Sequence, residues 1–134
     1  MSRSCKSMMS FFILLLMGLS LFGCSSLIDN KKVFTGKSKH WKARFEITKE
    51  FDADGTNGVF QLEYIGDKLP ISNVEYTFRV GTRESTGFFE RIDSRKLGRG
   101  RSNYDFEEVQ NNILTVEIRW EGFEERMQLK PADN

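Results

Sequence analysis

The chain predicts an all-β protein, a single antiparallel sandwich of about six to seven strands preceded by a cleavable signal segment. Three observations predict it. Apolar and polar residues alternate with a period of two through most of His40 to Lys130, glycines recur between the alternating runs, and no helical stripe interrupts them.

Met1 to Ser10 carries Arg3 and Lys6, and Phe11 to Phe22 (FFILLLMGLSLF) is an apolar run of 12 residues closed by the small residue Gly23. A positive start, a short apolar centre and a small residue make an export signal. Spanning about 30 Å of hydrocarbon takes roughly 20 apolar residues, so a retained membrane helix is the poorer reading. The expected division is therefore a signal over 1–23, a flexible tether over 24–39, a folded domain over 40–130 and a tail over 131–134. Ser25 to Lys39 (SSLIDNKKVFTGKSK) shows no sustained periodicity. As a flexible coil it would average about 20 Å end to end, and about 50 Å stretched. Lys31, Lys32, Lys37, Lys39 and Lys42 gather in and just after it. Near an anionic leaflet each adds on the order of 1 kcal/mol, and keeping a tether soluble explains them equally well.

In the domain, Trp41, Ala43, Phe45 and Ile47 interleave with Lys42, Arg44, Glu46 and Thr48, the pattern of a half-buried strand. Phe60, Leu62 and Tyr64 form a second such run, and Val74, Tyr76, Phe78 and Val80 a third. Phe88 to Ile92 is a shorter strand. Tyr104 to Val109 (YDFEEV) is a further candidate whose acidic residues suit an edge, and short turns around Asp93 to Lys96 or Asp105 to Gln110 fit the same stretches. At the C-terminus Leu114, Val116, Ile118 and Trp120 alternate, Glu121-Gly122 reverses the chain, and Phe123 to Leu129 returns. A two-residue loop sets Trp120 beside Phe123, Val116 beside Met127 and Leu114 beside Leu129, with Glu125 mismatched against Ile118. That mismatch costs little on an edge strand. With Gly55, Gly66, Gly81, Gly98 and Gly122 as turns, an immunoglobulin-like Greek key is the natural arrangement. Nine Phe, two Trp and three Tyr past the signal supply its core.

Leu21-Phe22-Gly23-Cys24 resembles the lipobox of bacterial lipoproteins, apart from Phe22, which is bulkier than that pattern's usual residue. The resemblance implies cleavage between Gly23 and Cys24, a lipid on the Cys24 thiol, and a lipid-anchored position on the outer face of the cell membrane. Further on, Trp41-Lys42-Ala43, Phe60 to Gly66 (FQLEYIG), Ile71 to Val74 (ISNV) and Thr115 to Gly122 (TVEIRWEG) are similar to segments of small lipoproteins of Bacillus and related Firmicutes. This implies a sandwich on a membrane surface and carries no catalytic signature.

With Cys5 discarded and Cys24 acylated, no thiol remains for a disulfide, a metal or nucleophilic attack. Without Arg3 and Lys6 there are 18 basic residues against 19 acidic ones, a balance that argues against a nucleic-acid partner. His40 is the single histidine and there is no G-x-S-x-G elbow. Asp52, Asp54, Glu63, Glu90, Glu107 and Glu108 are available for a carboxylate hydrolase, the alternative function; on alternating strands they more simply solvate an outer face. Asp52, Asp54 and Glu63 have the spacing of a calcium loop, but Asn57 stands where the sharp-turn glycine belongs and strands flank it. A plain Asp/Gly/Asn connection explains the same letters, so no metal or other cofactor is expected. Arg95, Lys96, Arg99 and Arg101 in RKLGRGR form the strongest basic cluster and the expected anion-binding site. The resulting expectation is a non-enzymatic binding or accessory module, engaging an envelope protein or an anionic wall polymer.

Overall fold

The computed structural model describes residues 30–97 and 100–132. Eight strands form one antiparallel sheet: β1 (Lys31–Lys37), β2 (Trp41–Thr48), β3 (Gly58–Tyr64), β4 (Ile71–Val80), β5 (Arg83–Ile92), β6 (Gly100–Ser102), β7 (Leu114–Trp120) and β8 (Phe123–Pro131), with one short helix, α1 (Phe106–Asn111). Their order across the sheet is β5-β4-β7-β8-β1-β2-β3-β6. The sheet curls so that its two halves face one another. Phe45 of β2 and Phe60 of β3 both lie 4.9 Å, ring to ring, from Phe78 of β4.

The alternation argument places the strands correctly because side-chain direction leaves little choice. In β2, Trp41, Ala43, Phe45 and Ile47 are all buried, while Lys42 and Arg44 between them are exposed. Burying each large side chain contributes roughly 1.5–3 kcal/mol. At the C-terminus the register is the expected one, Trp120↔Phe123, Val116↔Met127, Leu114↔Leu129 and Ile118↔Glu125. Glu121 and Gly122 have φ of 45° and 84°, the two left-handed residues of a tight hairpin whose twist matches its strands.

Three expectations are corrected. The strands form one curled sheet, not the two separate sheets of an immunoglobulin-like sandwich. β1 pairs with β2 over its whole length and with β8 at Phe34↔Pro131 and Thr35↔Lys130, and that short link joins the halves. Second, the link is built from residues read as tether. Lys31–Lys37 is an interior strand, and the polar letters that hid it are its outward positions: Phe34 is buried while Lys31, Thr35 and Lys37 are exposed. Gly36 fits where it does because a Cβ there would lie 2.9 Å from the Gln128 carbonyl oxygen of β8. The sheet likewise runs into the expected tail, at Pro131. Third, the candidate strand Tyr104 to Val109 overlaps α1. Asp105 caps it, its carboxylate accepting from the Glu107 and Glu108 N–H groups, and those two glutamates favour the positive end of a helix. Phe106 and Val109 turn inward and close one end of the curled sheet beside Tyr104.

The signal segment, Gly23 and Cys24 lie outside the described residues. Among the described residues no helix is long and apolar enough to cross a membrane.

Candidate functional site

A concavity of about 560 Å³ lies over β1, β2 and β3, lined by Thr35, Lys37, Lys42, Arg44, Gln61, Glu63, Lys96 and neighbouring backbone. The pairing of the strands assembles it. Lys37 stands directly opposite Lys42, Lys42 opposite Glu63, and Glu63 bridges to Lys96 on the stretch that follows β5. One row behind, Thr35, Arg44 and Gln61 are aligned in the same way. With strands about 4.8 Å apart, the first row spans about 14 Å. Along β2 the two rows are about 7 Å apart.

Among the described residues Lys37, Lys42 and Lys96 enter no ion pair, and Glu63 pairs with none of them; Arg44 reaches Glu46 at 3.1 Å. Like charges directly opposite on neighbouring strands destabilise a sheet. Lys37 and Lys42 are such a pair. Their outward ammonium groups, with Lys96 and Arg44, surround an open groove in which an anion of extended shape can accept several charge-assisted hydrogen bonds at once.

The expected basic cluster is dispersed. Lys96 faces the groove. Arg95 instead donates to the Gly66 carbonyl at 2.7 Å, closing the loop end beside β3. Arg101 turns to the opposite end of β3, 3.3 Å from Asp54 and 3.7 Å from Asp52. Arg99 lies outside the described residues. Residues close in sequence are thus split, since Arg95 to Leu97 lie against the Leu62–Tyr64 end of β3 and β6 lies against its Gly58–Phe60 end. Lys37, Lys42 and Arg44 were missed as site residues. A strand reading of Val33 to Lys37, with a hairpin through Ser38 to His40, would have set Lys37 against Lys42.

The calcium candidates do not converge. Asp52 folds onto its own loop, accepting from the Thr56 N–H at 3.0 Å, the Thr56 hydroxyl at 2.8 Å and the Asp54 N–H at 3.0 Å. These bonds, the Thr56 N–H first, hold its carboxyl below the ordinary carboxylate range. Glu63 is five residues along β3 from Gly58, so about 17 Å separates it from that loop end of the strand. Among the described residues no three His, Cys, Asp or Glu side chains are grouped to hold a metal ion. The remaining carboxylates are also apart: Glu90 is on β5, while Glu107 and Glu108 are in the first turn of α1.

His40 and Glu125 make a second polar feature. The Glu125 carboxylate accepts from the His40 backbone N–H at 2.8 Å and lies 2.7 Å from its ring Nδ1. Burial pushes this carboxyl up, but the His40 N–H, the Ser38 hydroxyl and the His40 ring together outweigh it and hold it below its usual value. The ring packs edge-on to Trp120 and over Tyr64, at 5.6 and 6.4 Å. This explains why Glu125 is tolerated opposite Ile118. That half of β8 has β7 on one side and the His40 turn on the other, and the turn supplies the donors. The arrangement joins the His40 turn to β8.

Comparison with protein-family models, with curated proteins and with solved structures finds no match for this chain.

Proposed function

We propose that this chain is a lipid-anchored envelope protein whose folded domain is a non-enzymatic binding module, gripping an anionic polymer of the cell envelope in the groove over β1, β2 and β3. The observation that carries the reading is the row Lys37, Lys42 and Lys96, three exposed cations with no ion-pair partner among the described residues, two of them directly opposed. The opposed Lys37 and Lys42 repel one another unless a ligand neutralises them, and Glu63 is the one anion in the row. The anchor reading rests on the Leu21 to Cys24 motif and places the domain on the outer face of the membrane. Because β1 begins at Lys31, the seven residues from Cys24 to Asn30 are the whole spacer, reaching at most about 24 Å. The groove is therefore held close to the surface from which it works.

Two measurements test this separately. Intact-mass analysis of the membrane-extracted protein should find a chain beginning at Cys24 with a diacylglyceryl group; an unmodified thiol contradicts the anchor. Co-sedimentation with purified teichoic acid at low ionic strength should fall about tenfold when Lys37, Lys42, Arg44 and Lys96 are all changed to Ala, and should fall for the native chain as salt screens the contacts. Retention unchanged by those four substitutions contradicts the groove.

A further inference from the structure

Among the described residues four large apolar side chains stand mainly in solvent, Phe51, Phe88, Ile113 and Phe123. Two of them flank α1 at the end of the curled sheet that this helix closes. Phe51 lies three residues beyond β2, whose last residue, Thr48, pairs with Lys31 at the start of β1. Ile113 comes just before β7, whose first residue, Leu114, pairs with Val80 at the end of β4. α1 runs between them: the Lys49 ammonium sits 5.2 Å from the Phe106 ring at its start, and Ile113 follows its last residue, Asn111, by two. The chain also enters the fold here, where the Asn30 carbonyl accepts from the Lys49 N–H at 2.8 Å, two residues from Phe51. Of the other two, Phe88 is on β5, and Phe123 is at the opposite end, in the hairpin whose Trp120 packs against His40.

We infer that the α1 end of the domain rests on the lipid bilayer, with Phe51 and Ile113 entering its interfacial layer; the inference rests on the anchor reading proposed above. The length of chain ahead of the fold selects this occupant. The seven residues from Cys24 to Asn30 reach at most about 24 Å and end beside Phe51. β1 carries the opposite end about 20 Å further off. Turning Phe123 to the membrane would therefore draw the spacer almost straight, at a cost in chain entropy. Charge does not drive the contact. Arg101 answers Asp52 and Asp54 at 3.7 and 3.3 Å, and Arg83 answers Glu108 at 3.8 Å, but Glu50, Asp105 and Glu107 outnumber Lys32 and Lys49. The apolar pair carries it. Two such residues bury too little area to recruit a protein from solution, but a chain already held by its lipid needs only to be oriented. In that orientation the row of Lys37 and Lys42 stands about 20 Å above the end that touches the membrane, clear of the headgroups.

The test uses the acylated protein in vesicles of phosphatidylcholine, whose zero net charge gives the cationic groove no attraction of its own. With Cys5 removed and Cys24 acylated, one introduced cysteine is the only thiol to label. Thr82→Cys places a fluorophore at the α1 end, next to Gly81, which lies against Asn112. Lys39→Cys places it in the turn between β1 and β2 at the far end. Nitroxide-bearing lipid should quench the Thr82 label about threefold more than the Lys39 label, at low and high salt alike, because the contact is apolar. Phe51→Ser/Ile113→Ser, both at exposed positions and with circular dichroism unchanged, should bring the two labels close to equal. Equal quenching in the native background, or a difference that survives the double substitution, overturns the inference. Intact mass of the same preparation separates the two readings: an unacylated chain contradicts the anchor and this inference with it, whereas equal quenching of an acylated chain removes the inference alone.

Discussion

The two outer faces of the curled sheet carry similar numbers of cations and handle them in opposite ways. On the β4-β7-β8 half, Glu117 is buried beneath three arginines: Arg119 at 2.7 Å, Arg126 at 2.9 Å and Arg79 at 3.5 Å. Glu84 and Glu124 tie those same arginines a second time. On the β1-β2-β3 half, Lys37, Lys42 and Lys96 surround a groove without an ion-pair partner among the described residues. Paired arginines hold a face together. Lysines opposed without an ion-pair partner work against the sheet instead.

The largest effect expected from this contrast is on the arginine face. Glu117→Ala leaves three guanidinium groups with their shared carboxylate gone and should cost about 2 kcal/mol in urea unfolding. Glu63→Ala, the corresponding removal in the groove, should change stability by less than about 0.5 kcal/mol. Equal losses would erase the distinction.

Smaller is the effect at the seam where the His40 turn meets β8. Glu125→Gln loses a charge-assisted pair of contacts and should cost about 1 kcal/mol at neutral pH. The sign of its pH dependence follows from the lowered carboxyl. A group whose folded value lies below its unfolded one stabilises above the ordinary carboxylate range, and loses that contribution as pH falls through the folded value. The native chain should therefore approach the stability of the variant in acid. A difference that is constant from neutral pH into acid would contradict this.

The smallest expected change has the opposite sign. Lys42→Gln removes the repulsion between opposed lysines and should raise stability by about 0.2–1 kcal/mol, while weakening polymer binding. A loss of stability would mean that Lys42 holds the sheet together.

How far these features could be read from sequence depends on what each residue answers to. β2, β3, β4 and the β7-β8 hairpin were legible, because apolar residues fill nearly every second position and a one-residue slip would expose them all. β1 was not, since its inward-parity positions are Lys32, Phe34 and Gly36, with one large apolar residue among them, and Gly36 is explained by a β8 backbone far away in sequence. α1 was hidden in a stretch of strand length, YDFEEV, and its signal was the Asp105 cap followed by Glu107 and Glu108, not its periodicity. The same limit applied to the site. The basic letters were visible at Arg95 to Arg101, but their faces depend on how that stretch lies along β3. The groove needed a cross-strand register that only the placement of β1 supplies.

The most direct test of the central claim is the thermal midpoint of the native chain with and without purified teichoic acid, compared with Lys37→Gln/Lys42→Gln/Lys96→Gln. A ligand that binds only the folded state raises that midpoint by mass action. The account predicts a polymer-dependent rise for the native chain at low salt and none for the triple variant, which by itself melts no lower than the native protein. An equal rise in both, or a rise in neither, would contradict it.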